Sequence, residues 1–359
     1  MFYSKIGLKS QGFTNQIFAF ITSIIIAHKN NDKVVVVDKF LNDFSKDNYT
    51  PISEIFDIVK INNFLKNTYD IIIIDKHNVK LEINSIKYGT REKNIDLTDS
   101  ILKSQNQQYF YRNNILYVNK NTDMNQIQGD PCILVKKQIF LNYTINNYTI
   151  EEVHEENLVN NISINILHST YQNNFAWINS YDMNMFENIL LNIFYHNDFI
   201  EKSNIIFNEI NTNDKINVIH LRLEDDAINH WSNMNKMNKN IFKTHIENKY
   251  IGLIQKYISK TDQNIILSSS LNNKVIDYLN QHNYNYKFNN KYFEDREKNA
   301  IVDLLTSSKC NNIFIGNFNI TNLNGSTFSY YIGKIVNNDV KKIYIDLDKI
   351  HDVEVILLG

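Results

Sequence analysis

The densest concentration of reactive side chains in this chain is Asn217-Val218-Ile219-His220-Leu221-Arg222-Leu223-Glu224-Asp225-Asp226, an apolar run that ends in a cation and three acids. Read as a strand, alternate residues share a face, so Val218, His220 and Arg222 lie on one side and Ile219, Leu221 and Leu223 on the other. A guanidinium that cannot deprotonate, placed beside proton acceptors at the end of a parallel strand, suits a phosphorylated or nucleotide-linked substrate. The plainer reading is an edge strand whose His220 and Arg222 face solvent, with one acid pairing with Arg222 or capping the next loop. Which of Glu224, Asp225 and Asp226 would accept a proton stays open at this level.

Two further places could bind an anion. Ser326-Thr327-Phe328-Ser329 follows Gly325 and opens a helix; Ser or Thr there is an ordinary N-cap, and the same helix start offers hydroxyls and unpaired N–H groups to a phosphate. Gly12-Phe13-Thr14-Asn15-Gln16 opens another helix, with a single glycine and without the Lys-Ser/Thr of a P-loop, so Asn15 could equally be a simple cap. No spacing of His, Cys, Asp and Glu matches a metal-ligand set, and no metal site is expected.

The elements needed to position these groups follow from hydrophobic periodicity. A strand over 2–7, a helix over 14–29 and the strand Val34-Val35-Val36-Val37 make a βαβ unit, and a continuous apolar strand fits a parallel sheet covered on both faces. Ile71-Ile72-Ile73-Ile74 is another buried strand and Ile133-Leu134-Val135 a weaker one. Residues 76–130 read as polar and irregular, 142–170 resolve poorly, and Met185, Ile189, Ile193 and Phe194 suggest one helix over 182–202. Beyond that, strands at 217–223, 265–267, 284–288, 313–315 and 343–345 alternate with helices at 240–258, 272–280, 296–308 and from Ser326, which argues for a Rossmann-like domain.

The length of 359 residues exceeds one hydrophobic core, so two domains are expected, 1–205 and 206–359. A formal charge of −2 gives no polyanion-binding surface and disfavours nucleic acid as a partner. The scarcity of Gly (9) and Pro (2) beside abundant Asn, Ile and Lys resembles translation from an AT-rich genome, so sequons such as Asn142-Tyr143-Thr144 arise by chance and carry no weight. Cys132 and Cys310 stand far apart and suggest neither a disulfide framework nor a zinc site. The apolar run Ile17 to Ala27 is too short for a bilayer span and lacks the flanks of a signal peptide, so a soluble, cytoplasmic protein is expected.

Together the three sites resemble the GDP-fucose-dependent fucosyltransferases, the superfamily of protein O-fucosyltransferases and α1,2- and α1,6-fucosyltransferases. Gly12-Phe13-Thr14-Asn15-Gln16 is similar to the family's Gly-Gly-x-x-Asn-Gln, and His220-Leu221-Arg222-Leu223-Glu224-Asp225 to His-x-Arg-x-x-Asp. Asp303-Leu304-Leu305, Phe314-Ile315-Gly316 and Ser326-Thr327-Phe328-Ser329 resemble its nucleotide-binding block. The resemblance implies an α/β fold of GT-B type, two Rossmann-like domains facing each other across a cleft. It implies an inverting, metal-independent transferase that needs no cofactor and moves a sugar, most readily fucose, from a GDP-sugar donor to a glycan or glycoprotein hydroxyl.

By the same resemblance Arg222 would hold the donor diphosphate, His220 sit by ribose or phosphate, Asp303 meet the guanine, and Ser326 and Thr327 bind phosphate oxygens. Asn15 would face the sugar from the other domain, and Gly12, Gly316 and Phe328 would shape the donor site. Asp225 fills the family's acidic position, crowded by Glu224 and Asp226. Gln11 stands where the family usually has a glycine, and the loop between Gly316 and Ser326 is longer than is common there. Two rivals remain: a UDP- or dTDP-sugar transferase of the same fold, and a catalytically silent glycan-binding scaffold.

Overall fold

The computed structural model describes residues 2–5, 12–38, 40, 49–76, 79–112, 115–158, 161–165, 182–209, 215–288, 291–319, 323–347 and 356–358. The chain is α/β and divides into two compact units. The first comprises Met1–Gly7, Ala19–Leu41 and Tyr49–Asn174, and the second Leu8–Phe18, Asn42–Asn48 and Phe175–Gly359. The expected Gln11 turn and the end of the first strand at 6–7 lie outside the described residues.

In the first unit, β1 (Phe2–Lys5), α1 (Phe13–Lys29, whose last eleven residues belong here) and β2 (Val34–Asp38) form the expected βαβ unit, with β1 and β2 parallel. Two helices, α2 (Ile52–Ile55) and α3 (Ile58–Tyr69), lead to β3 (Ile72–Asp75), which pairs parallel with β2. Asp57 caps α3 by accepting the Lys60 N–H at 3.1 Å, and Asn62, wholly buried, grips both backbone groups of Ile73 at 2.7 and 2.9 Å. That amide fixes the helix against its strand and satisfies an edge that burial would otherwise leave costly.

Residues 76–130 and 142–165 are not irregular. They hold β4 (Leu81–Gly89), β5 (Asn94–Asp96), α4 (Thr98–Leu102), β6 (Tyr109–Arg112), β7 (Ile115–Val118), α5 (Asn125–Gln128), β8 (Gln138–Ile145), β9 (Tyr148–Glu155) and β10 (Ile162–Asn165). These strands make two antiparallel sheets, ordered β5-β4-β8-β9 and β10-β7-β6. Along β8, Ile139, Leu141, Tyr143 and Ile145 are buried while the residues between them are not. The outer face is laddered by amides, Asn84 bonding Asn142 at 2.7 Å and Thr144 at 2.8 Å, which is why Asn-rich strands read as loops. The expected strand at 133–135 is instead an exposed turn, with Leu134 at φ 60° and 99% exposed, because Pro131 and the short path into β8 leave these side chains nothing to pack on.

In the second unit the expected single helix over 182–202 is two helices, α6 (Met183–Leu191) and α7 (Asn197–Asn208). Asn192 closes the first, and His196 caps the second, so Phe194 falls in the break rather than on a buried face. The remaining elements are β11 (Ile216–His220), α8 (Asp225–Met234), α9 (Lys239–Tyr257), β12 (Gln263–Leu267), α10 (Lys274–Gln281), β13 (Tyr286–Phe288), α11 (Arg296–Ser307), β14 (Ile313–Gly316), the short hairpin strands β15 (Phe318–Asn319) and β16 (Asn324–Gly325), α12 (Thr327–Ile335), β17 (Lys341–Tyr344) and β18 (Ile356–Leu358).

Six of these strands form one sheet in the order β13-β12-β11-β14-β17-β18, all parallel except the last. Numbered from β11, that is the 3-2-1-4-5-6 order of a dinucleotide-binding sheet, with its switch point between β11 and β14. Every residue of β11 is buried, and Ile219 joins Ile266, Ile315 and Ile343 in one core with Phe242, Ile246 and Tyr250 of α9.

Candidate active site

The chain leaves the sheet at both sides of the switch point. The strand expected over 217–223 stops at His220; one more bond, Leu221 N–H to Leu267 O at 2.9 Å, ends the ladder. Leu221 and Leu223 stay buried beneath the helices, which is why their alternation imitated further strand. Glu224 is the N-cap residue of α8, so Arg222 sits in a three-residue link between a buried strand and a helix start.

Tyr250 of α9 pins this link. Its buried hydroxyl lies 2.6 Å from the His220 carbonyl and 2.5 Å from Asn317 Oδ1, and accepts the Arg222 N–H at 3.3 Å, so one side chain ties the end of β11 to the residue after β14. Ser329 makes a second tie: its Oγ accepts the Asn317 N–H at 2.9 Å and lies 2.7 Å from His220 Nδ1. Gly316 permits that approach, since a Cβ there would stand 2.8 Å from Ser329 Oγ and 2.7 Å from the Phe314 ring. Burial, the dominant cause, pushes the His220 imidazole down to about 4; Glu224 opposes this and Arg222 reinforces it, so the ring is neutral at pH 7.

Arg222 is held on both sides. Its Nη1 stands 2.9 Å from Glu224 Oε2, a close ion pair without an aligned hydrogen bond, and its Nη2 donates to Asp226 Oδ2 at 3.1 Å. Partial burial works upward on the Asp226 carboxyl, but Arg222, the Ala227 N–H and Arg296 together carry it below the usual range. Asp225 turns the other way, 86% exposed and 3.1 Å from Lys239.

Across the switch point, α12 begins with Ser326 as its N-cap, accepting the Ser329 N–H at 3.4 Å, while the Thr327 and Phe328 N–H groups are first-turn donors with no intrahelical acceptor. Thr327 Oγ1 donates to Asn15 Oδ1 at 2.8 Å, and the Phe13 N–H is taken by Glu297 Oε2. The start of α1 is therefore fastened to α11 and α12 inside the second unit, although residue 15 falls in the segment expected as the N-terminal domain.

These groups surround one cavity of about 930 Å³, within the size range of small-ligand sites. Of the residues singled out in the sequence, Gly12, Asn15, His220, Arg222, Glu224, Asp226, Asp303, Ser326, Thr327 and Phe328 line it; Asp225 and Gly316 do not. The starts of α1, α8, α11 and α12 all reach it, so several helix dipoles present their positive ends there. Sequence reasoning missed His230 and Trp231 on α8, Ser268 and Ser269 after β12, and Lys291, Arg296 and Glu297 around the start of α11. The signal that would have found most of them is positional: Ser268, Ser269 and Lys291 lie just beyond the C-terminal ends of parallel strands, and Arg296 and Glu297 open the helix that follows one. Among the described residues no group of three or more His, Cys, Asp and Glu could hold a metal ion, and no helix is long and apolar enough to cross a membrane.

No protein-family model matches the chain, and no curated protein matches its sequence. Solved structures do. The chain is similar to the NodZ α-1,6-fucosyltransferase co-crystallised with GDP, with 11% identity over 99% of this chain and 98% of that one and a TM-score of 0.52. It is similar to the selenomethionine form of fucosyltransferase NodZ from Bradyrhizobium at 13% identity, the same coverage and a TM-score of 0.50. Apo POFUT1 matches at 9% identity over 92% of this chain and 94% of that one, with a TM-score of 0.47. On the two NodZ matches the chain has the fold of a solved fucosyltransferase along nearly its whole length, as the motifs at Gly12, His220 and Ser326 led one to expect.

Proposed function

We propose that the chain is an inverting, metal-independent glycosyltransferase of GT-B organisation, which moves a sugar, fucose first among candidates, from a GDP donor to a hydroxyl of a glycan or glycoprotein. Residues 206–359 would carry the donor site and 1–205 the acceptor side. One arrangement carries the reading. Arg222 and the first turn of α12 meet in a single cavity at the switch point of a 3-2-1-4-5-6 sheet, which is where such sheets bind nucleotides.

In this reading the diphosphate lies against the Thr327 and Phe328 N–H groups, and Arg222 exchanges its two carboxylates for phosphate oxygens. As the bond from the sugar carbon to the β-phosphate oxygen breaks, the electron pair leaves with GDP. A bidentate, permanently charged guanidinium stabilises that charge in the role a metal ion plays elsewhere. His220, neutral and fixed by Ser329, offers a dipole to the donor rather than a charge, and Asp303 lies on the cavity wall as the candidate partner of the base.

The test is a thermal-shift panel of GDP, UDP, dTDP and GDP-fucose with chelator present. GDP and GDP-fucose are expected to raise the melting temperature, and Arg222→Ala to abolish the rise. Stabilisation by UDP or dTDP alone would replace the donor, and no shift with any nucleotide at millimolar concentration would sink the reading.

A further inference from the structure

Transfer to a hydroxyl has to dispose of the hydroxyl proton, and the three carboxylates beside Arg222 are poorly placed to take it. Glu224 and Asp226 stand 2.9 and 3.1 Å from the Arg222 guanidinium, and Asp225 pairs with Lys239 at 3.1 Å, outside the cavity. An inverting transfer takes its base on the side of the sugar opposite the leaving group, whereas Glu224 and Asp226 flank the guanidinium that holds the leaving diphosphate in the reading above. Glu297 is 2% exposed and accepts the Phe13 N–H.

One turn further along α8 stands His230. It follows Asp226 by four residues, which puts both on one face of the helix, and both line the cavity with Arg222. His230 is exposed to that cavity, whereas Trp231, 7% exposed, is anchored in the core. The two rings meet edge to face, with centroids 4.8 Å apart and planes at 83°, so a fixed indole orients the imidazole.

We propose that His230 is the general base of the transfer. This rests on the transferase reading above. The acceptor hydroxyl oxygen bonds to the sugar carbon, the carbon–oxygen bond to the β-phosphate breaks with its electron pair going to GDP, and the hydroxyl proton passes to the His230 imidazole. The imidazolium then releases the proton to water. An imidazole that faces the cavity offers a ring nitrogen able to accept the proton. Glu294, also exposed on the cavity wall, is the competing acceptor.

The experiment measures GDP release from GDP-fucose, with water as acceptor, for the intact chain and for His230→Ala, His230→Gln and Glu294→Gln, with the GDP-induced melting shift recorded for each. Both His230 variants are expected to keep the melting shift and a KM within about twofold while kcat falls roughly 10²-fold or more. Added imidazole should restore part of the His230→Ala rate and none of the His230→Gln rate, an outcome a structural role for the ring would not produce. Full kcat in the His230 variants, or a loss seen with Glu294→Gln alone, overturns the assignment while leaving the transferase reading intact. Absence of any GDP-sugar turnover and of any GDP shift in the intact chain defeats that reading itself, and the base with it.

Discussion

The parallel sheet of residues 216–344 and the antiparallel sheets of residues 81–165 bury the same kinds of side chain in opposite ways. In β11 and β14 every residue is sealed, so the only places where chemistry can surface are the strand ends. In β8 each buried residue alternates with one that is not, and the open face runs the whole length of the strand without a preferred end. The cavity, Arg222 and the α12 start all belong to the first kind of sheet. A sheet covered on both faces leaves its strand ends as the place for function; a half-open sheet distributes its polar groups along its length.

The comparison can be broken by mutation. The largest effect is expected at the strand end: Arg222→Lys keeps the charge and loses the fork, and GDP-fucose turnover should fall about 100-fold or more in a steady-state assay. Leu141→Ala, in the half-open sheet, should cost about 2–5 kcal/mol in urea denaturation while leaving the GDP dissociation constant unchanged. A changed GDP affinity there would mean that the antiparallel region contributes to the site.

The pH dependence separates the regions further. His220 is depressed from 6.5 to about 4 in the folded chain, so between those values the unfolded chain binds a proton that the folded chain does not. Stability therefore falls as pH drops through that window, by on the order of 3 kcal/mol, and His220→Gln should flatten the slope in denaturation at pH 7 and pH 5. Glu152 of β9 is lowered despite its burial, by hydrogen bonds from His154 and Tyr143; as a depressed carboxyl it keeps its contribution above its ordinary range and loses it only in stronger acid.

Two smaller tests follow. Gly316→Ala would press a methyl on Phe314 and Ser329, and should cost about 1–3 kcal/mol by thermal denaturation. The smallest change expected is a gain: Leu134→Gly relieves a left-handed backbone in an exposed turn and should stabilise by about 1 kcal/mol or less in urea, a loss instead showing that this leucine packs in solution.

The sheet's own physics decides what could be read from the sequence. Val34 to Val37, Ile265 to Leu267 and Ile313 to Ile315 announce themselves because unbroken apolar runs have one common use, a strand covered on both sides. β4, β8 and β9 did not, because their outward positions carry the Asn, Thr and Glu that also mark loops. At the site, ten of the singled-out residues reach the cavity because motif positions at strand ends and helix starts are close in sequence to what they bind. Asp225 could not be told from its neighbours, since a one-residue step around α8 turns a side chain by about 100° and sends it to Lys239. His230 escaped notice because a single histidine within a helix carries no pattern until the cavity wall is seen.

The two carboxylates clasping Arg222 have one more consequence. The unliganded site is already charge-compensated there, so in the proposed reading the donor would not fill an empty cation but displace an incumbent. Entry would then be an exchange in which a ligand must offer more than Glu224 and Asp226 together provide. Inorganic phosphate and nucleoside monophosphates are expected to meet that competition poorly in a thermal-shift titration, and a diphosphate, with oxygens enough to replace both carboxylates at once, to meet it well. Because one set of ion pairs gives way to another, donor affinity should also vary less steeply with ionic strength than that of a bare basic pocket.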